Sequence, residues 1–173
     1  MVTDCLNKIK NSSHYLLSLI NDILDMSKIE SGKMILNVEL VSLREIMDSI
    51  VSIIQPQIKA KQQRFDVFIY DITSENVLCD SVRLNQVLLN LLSNAIKFTP
   101  EGGAIEVALH EKESPKGDDY VRILLQVKDT GIGMSEEFQE HIFDSFTRED
   151  NKRVQRTEGT GLGMAITKYI VDA

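Results

Sequence analysis

Residues Asp80–Pro100, DSVRLNQVLLNLLSNAIKFTP, decide the reading of this chain. Asp80 stands at the N-cap position of a helix, and Val82, Leu84, Val87, Leu88, Leu91 and Leu92 give that helix a broad apolar face. A polar line runs through this apolar body. Asn90 and Asn94 lie one turn apart on one face, with Lys97 a turn further on. Asparagine is a middling helix former, and carboxamides beside a core face need hydrogen-bond partners. Amides and an ammonium on one ridge suit a metal-bound polyphosphate. They also suit the capping or bridging of neighbouring loops.

The chain around this helix has 173 residues, enough for one domain with a helical appendage. Apolar residues make up 43% and charged residues 26%, as in ordinary globular proteins. A formal net charge of -7 argues against nucleic acid as a partner, because most of the surface repels a polyanion. No apolar run approaches the roughly 20 residues of a membrane span. The N-terminus is a polar helix without the short apolar core of a signal peptide. Cys5 and Cys79 are isolated, which fits reduced cysteines in a cytoplasmic setting. An anchor elsewhere in a longer parent protein is compatible with all of this.

Upstream, residues 4–31 read as one helix. Leu6, Ile9, Ser13, Leu16, Ile20, Ile23 and Ser27 keep the a/d spacing of a coiled coil or bundle, and Leu17 and Leu24 widen the stripe. The rest of the chain offers no comparable long amphipathic partner, so the stripe points to another segment or another subunit. Gly32 marks the helix end. Met34, Leu36, Val38 and Leu40 alternate as a strand over 33–40. Ser42 and Glu45 form a capping box for a helix carried by Leu43, Ile46, Met47, Ile50 and Ile54, which Pro56 should kink or end. Phe65, Val67 and Ile69 alternate in a second strand, and 77–79 is a short edge segment leading into Asp80. Beyond the central helix, Ile105, Val107 and Leu109 form a strand joined through Ser114-Pro-Lys-Gly to Val121, Ile123, Leu125 and Val127. The pattern predicts mixed helices and strands, with an antiparallel-rich sheet covered by helices on one face.

Glycines then punctuate the C-terminal half. Asp129-Thr-Gly-Ile-Gly ends a strand, where Gly131 and Gly133 admit a close neighbour beside a fixed carboxylate. It lacks the third glycine of a dinucleotide fingerprint. Ser135 caps a short acidic helix ending near His141, and Ile142-Phe-Asp-Ser-Phe146 comes next. The polar run beyond it carries Arg148, Lys152, Arg153 and Arg156, and reads either as a mobile flap or as a solvated loop with two core anchors. Gly159-Thr-Gly-Leu-Gly163 opens a last helix, whose free N–H groups and dipole favour a phosphate.

Taken in order, N90-LLS-N94-AI-K97, D129-TGIG, IFDSF and G159-TGLG resemble the N, G1, F and G2 boxes of sensor histidine kinases. That family shares an ATPase group with DNA gyrase B, MutL and Hsp90. SLINDILDMSKIESGKM is similar to the second helix of the dimerisation and histidine-phosphotransfer domain, and the wording resembles kinase cores of hybrid-type sensors. The resemblance implies an α+β fold of the Bergerat type. This is a two-layer sandwich of a mixed, mostly antiparallel sheet and helices, preceded by a long amphipathic helix. It divides the chain into part of the dimerisation domain over 1–32 and a C-terminally truncated ATP-binding domain over 33–173.

The same resemblance implies roles for single residues. By it, Asn94 ligates Mg2+ with Asn90 assisting, and Lys97 contacts the phosphates. Asp129 accepts a hydrogen bond from the adenine amino group, with Gly131 and Gly133 close to the base. Phe143 and Phe146 tether a lid, Arg148 reaches the γ-phosphate, and Gly159, Thr160, Gly161 and Gly163 hold phosphates. The activity implied is transfer of the γ-phosphate of ATP to a histidine, for relay to an aspartate on a response-regulator receiver domain. The partners implied are a second copy of the chain, through the N-terminal helix, and the receiver domain; neither nucleic acid nor direct membrane contact is expected. Where gyrase-type and Hsp90-type relatives carry a water-activating Glu, this chain has Asn90, and an amide cannot take the proton. The H-box histidine, with Glu and Arg-Thr-Pro after it, is absent: Tyr15 stands after His14, and neither His110 nor His141 fits. The competing functions are an ATP-hydrolysing conformational module and a non-catalytic nucleotide-binding scaffold.

Overall fold

The apolar periodicities become helices and strands largely where the sequence puts them. The computed structural model describes residues 2–117, 119–149 and 159–173, without the side chains of 2–4, 7, 8, 11, 14 and 15. The His14 side chain and the flap residues Lys152, Arg153 and Arg156 therefore lie outside the described part. Two compact units emerge: Leu36–Met134, and Met1–Ile35 together with Ser135–Ala173.

The first unit is a layered α+β body. It holds strands β1 (Glu39–Ser42), β2 (Arg64–Tyr70), β3 (Asn76–Cys79), β4 (Ala104–Glu113) and β5 (Val121–Asp129), with helices α2 (Leu43–Ala60) and α3 (Ser81–Phe98). Strand β4 is central, parallel to β2 with Phe65 opposite Ile105, and antiparallel to β5 with Ile105 opposite Asp129. A separate antiparallel ribbon pairs β1 with β3. Among the described residues two of the three pairings are thus antiparallel, as expected, but they fall in two sheets. The core joins Ile46, Met47, Ile50, Ile54 and Ile58 of α2, Leu88, Leu92 and Ile96 of α3, and Ile105, Val107 and Leu109 of β4. Each such side chain, fully withdrawn from water, contributes about 1.5–3 kcal/mol.

Three expectations need correction. The strand expected over 33–40 forms only at Glu39–Ser42, because β3 offers four residues to pair with; Val38 and Leu40 are 58% and 70% exposed. Of the two outcomes expected at Pro56, an end to the helix is ruled out, since α2 runs on to Ala60. The proline costs one backbone hydrogen bond on the exposed side, while Ile54 and Ile58 bury the same stripe on either side of it. Val82 is 69% exposed, so the buried stripe of α3 starts a turn later than its apolar sequence does. The caps fall where predicted: the Ser42 hydroxyl accepts from the Glu45 N–H at 3.2 Å, and Asp80 accepts from the Arg83 N–H at 3.0 Å.

The other unit contains α1 (Val2–Glu30), α4 (Glu136–His141) and a final helix α5 (Gly163–Asp172). Helix α1 ends at Gly32 with Gly32 N–H to Ile29 O and Lys33 N–H to Lys28 O, a Schellman pattern. Its half-buried face is Leu19, Asp22, Met26 and Ile29, with Asp25 only 9% exposed. At 3.6 residues per turn this is the side opposite Leu16, Leu17, Ile20, Ile23 and Leu24, which are all 46% exposed or more.

Candidate functional site

In the unit Leu36–Met134, the polar ridge of α3 stands as the spacing predicts. Asn90, Asn94 and Lys97 are all half-buried, beside the buried Leu92, Ala95 and Ile96. The end of the helix is held from below. Lys61 donates to the carbonyls of Ile96, Lys97 and Thr99 at 2.7, 3.0 and 3.2 Å, and Gln63 donates to those of Ile96 and Thr99 at 3.1 and 2.8 Å. A charged donor on the last carbonyls offsets the negative end of the helix dipole.

The Asp129–Gly133 loop is tied to that same helix end. Ile132 N–H donates to Phe98 O at 3.3 Å, and Thr130 N–H to Ala104 O at 3.0 Å. The Thr130 hydroxyl in turn accepts from the Ala104 N–H at 2.9 Å. Asp129, at the end of β5, accepts from the Gly131 N–H at 2.7 Å, which fixes its carboxylate. A carboxylate has about four acceptor positions, so one such bond leaves capacity for a ligand donor. Gly131 has no room for a side chain, since a Cβ there would lie 2.5 Å from the Asp129 carboxylate and 2.9 Å from Phe98 O. The loop that carries Asp129, Gly131 and Gly133 is thus bonded to the C-terminal end of the helix that carries Asn90, Asn94 and Lys97.

The remaining candidates lie in the other unit. Ser135 caps α4 through the Phe138 N–H at 3.2 Å, and His141 pairs with Asp144 at 2.8 Å just beyond it. The hydrogen bond and charge of Asp144 hold the His141 pKa above its ordinary value. Phe143 and Phe146 are exposed residues, 46% and 65%, with the Lys168 ammonium lying 5.8 Å from the Phe143 ring centre. The backbone makes the link to the glycine loop: Phe146 N–H donates to Gly161 O at 3.0 Å. Gly161, at φ +73, lies so close to Phe146 and Thr147 that a Cβ would meet backbone at 2.9 Å. Thr160 accepts from the Leu162 N–H at 3.1 Å, while Gly163 begins α5, whose first turn has no acidic residue. The dipole at a helix start favours an anion by about 0.3–1 kcal/mol. Arg148 is exposed.

Residues 79–173, more than half of the chain, match the family described as histidine kinase-, DNA gyrase B-, and HSP90-like ATPase. The chain belongs to that ATPase family. It is similar to the sensor histidine kinase GacS of Pseudomonas protegens, 38% identical over 169 residues, covering 98% of this chain and 18% of the relative. The chain thus spans under a fifth of that relative's length. Full-length ShkA, solved in complex with AMPPNP, aligns with a TM-score of 0.77 and 26% identity over 98% of this chain and 33% of its own. ThkA, solved in complex with the response regulator TrrA, aligns with a TM-score of 0.61 and 27% identity over 86% of this chain and 41% of its own. The resemblance carried by the four motifs is borne out by these relatives.

Within this ATPase-family frame, several residues that position the motifs escape sequence reasoning. Lys61 and Gln63 read as an anonymous polar tail, because nothing local says that their donors reach the end of α3. Thr130 offered a weak signal in its place between Asp129 and Gly131. Asp22 had none, being a polar residue off the apolar stripe of α1. No helix among the described residues is long and apolar enough to cross a membrane.

Proposed function

We propose that this segment is the ATP-binding kinase core of a sensor histidine kinase. It binds ATP with Mg2+ and transfers the γ-phosphate to a histidine on a dimerisation helix, for relay to a response-regulator aspartate. Residues 1–32 are then the second helix of the dimerisation and phosphotransfer domain, and 33–173 the ATP-binding domain. The observation that carries this reading is the bond from Ile132 N–H, in the Asp129–Gly133 loop, to Phe98 O at the end of the helix that bears Asn90, Asn94 and Lys97. It supports reading the ridge as a metal-and-phosphate site with the Asp129 carboxylate as acceptor for an adenine amino group.

The residues fit the metal. Asn94 and Asn90 present hard amide oxygens on one half-buried ridge, and Mg2+ characteristically takes one or two protein ligands plus phosphate oxygens and water. When bound, the ion neutralises phosphate charge as the γ-phosphoryl group moves. Lys97 adds a cation along the same ridge. Asp129 orients the base, and the tight turn at Gly131 lets it approach. In the other unit, Gly159, Thr160, Gly161 and Gly163 bind phosphate at the start of α5. Phe143 and Phe146 flank the backbone link to that loop, and Arg148, just beyond them in the chain, is the γ-phosphate contact. Asn90 supports transfer over hydrolysis, since an amide does not activate water.

The exposed stripe of α1, on the side away from Asp22, supports a homodimer. The ThkA–TrrA complex supports a receiver domain as the second partner. A kinase core that uses ATP belongs on the cytoplasmic side of any membrane that its parent meets.

Binding of Mg2+–AMPPNP, with and without the metal, tests the site. Asn94→Ala and Asp129→Ala should each weaken binding by at least about tenfold, the scale of a lost charge-assisted hydrogen bond. Tight binding indifferent to both changes rejects the assignment. Labelled γ-phosphate, chased into a separately supplied acceptor helix domain, then separates kinase from scaffold.

A further inference from the structure

The face of α1 opposite its apolar stripe carries an acidic side chain directed at the glycine loop. The Thr160 hydroxyl donates to Asp22 at 3.0 Å and accepts from the Leu162 N–H at 3.1 Å. One turn along α1, the Ser145 hydroxyl meets the Met26 sulfur at 3.7 Å. The two gripped segments are themselves joined by the Phe146 N–H bond to Gly161 O. Helix α1 thus holds the loop and the aromatic turn as one piece.

A hydroxyl has one proton to give. Given to Asp22, it is not available to a phosphate oxygen. The Leu162 N–H, which a phosphate at this helix start would recruit, is committed to the Thr160 oxygen in the same arrangement. Asp22 occupies the acceptor role that a phosphate oxygen would fill, and it brings negative charge with it. Asp25 adds a second carboxylate a turn away on the same face, only 9% exposed. Like charges at this range oppose a polyphosphate, the more so where water is partly excluded. The cost of keeping Asp22 ionised is visible in its raised pKa, set by burial first, opposed by the Thr160 bond and reinforced by Asp25.

We propose that Asp22 is an autoinhibitory latch, a carboxylate on α1 that competes with the nucleotide phosphate for the Thr160 hydroxyl proton. The inference rests on the reading of Gly159–Gly163 as a phosphate loop. Any movement of α1 that withdraws Asp22 frees the Thr160 hydroxyl and removes a negative charge, so the state of the helix is written into nucleotide affinity.

The test is calorimetric binding of Mg2+–AMPPNP to the full chain and its variants, with melting curves to establish folding. Asp22→Ala should tighten binding by about 3- to 10-fold, the factor expected for releasing one net hydrogen bond. Asp22→Asn, which keeps an acceptor but no charge, should give a smaller gain. Thr160→Val placed beside Asp22→Ala should cancel the gain, because the hydroxyl that the loss of Asp22 frees is then gone. A merely structural Asp22 predicts the opposite sign, because its loss would loosen the loop. Asp22→Ala binding equally or more weakly, while Asn94→Ala still abolishes binding, overturns the latch and leaves the nucleotide site standing. If Asn94→Ala and Asp129→Ala are both without effect, the nucleotide reading fails and the latch fails with it.

Discussion

Replacing Gly131 by alanine separates two reasons for a glycine. Its backbone is not left-handed, so the requirement is one of space: a Cβ would sit 2.9 Å from Phe98 O and 2.5 Å from the Asp129 carboxylate. Ordinary contact begins near 3.4 Å, so the loop must withdraw from the end of α3 by several tenths of an ångström. That movement strains the Ile132 N–H bond to Phe98 O, already 3.3 Å long, and the 2.7 Å bond that aims Asp129. Overpacking of this kind costs about 1–3 kcal/mol, and part of it falls on the ligand geometry. Gly131→Ala should therefore lower the urea-unfolding free energy by that amount and weaken Mg2+–AMPPNP binding at least about tenfold. Gly102→Ala is the control: its φ of +75 imposes left-handed strain of about 1–2 kcal/mol, but a Cβ there meets nothing within 4 Å. It should cost stability and leave nucleotide affinity within about twofold. If Gly131→Ala binds as well as Gly102→Ala, the tie between the loop and the helix end is not what shapes the site.

Other positions on the molecule carry outcomes of their own. Asn90→Glu should raise ATP hydrolysis by about tenfold or more, as a general base is supplied; unchanged phosphate release in a steady-state assay counts against the transfer reading. Asp80 is subject to partial burial, which would raise its pKa, but the Arg83 and Asn37 N–H bonds and the Arg83 charge outweigh this and hold it below the ordinary carboxylate value. Its stabilisation is complete above that ordinary value and disappears as pH falls through the lower folded one. Asp80→Ala should cost about 1 kcal/mol at neutral pH, and melting curves of native and variant protein should converge in acid. On α1, Ile20→Glu with Ile23→Glu should raise the dimer dissociation constant at least about tenfold by sedimentation, with helix content retained. A monomer–dimer balance unmoved by both charges would place the partner elsewhere.

The sequence by itself determined the elements and the chemistry they carry. Period and capping belong to neighbouring residues, so α3, its Asp80 cap and the buried stripe of α2 were legible from spacing alone. The four motifs were legible for the same reason, each needing only its own few residues to be recognised. Tertiary structure decided whatever depends on a partner far along the chain. Only the length of β3 could say that 33–38 would remain unpaired, and only the buried stripe continuing past Pro56 carried α2 on to Ala60. Lys61 and Gln63 found their role at carbonyls more than 30 residues away, and Asp22 found Thr160 across a separation of 138 residues. A hydrogen bond is set by the meeting of two groups in space, and no local pattern on α1 marks the carboxylate that the fold turns toward the glycine loop.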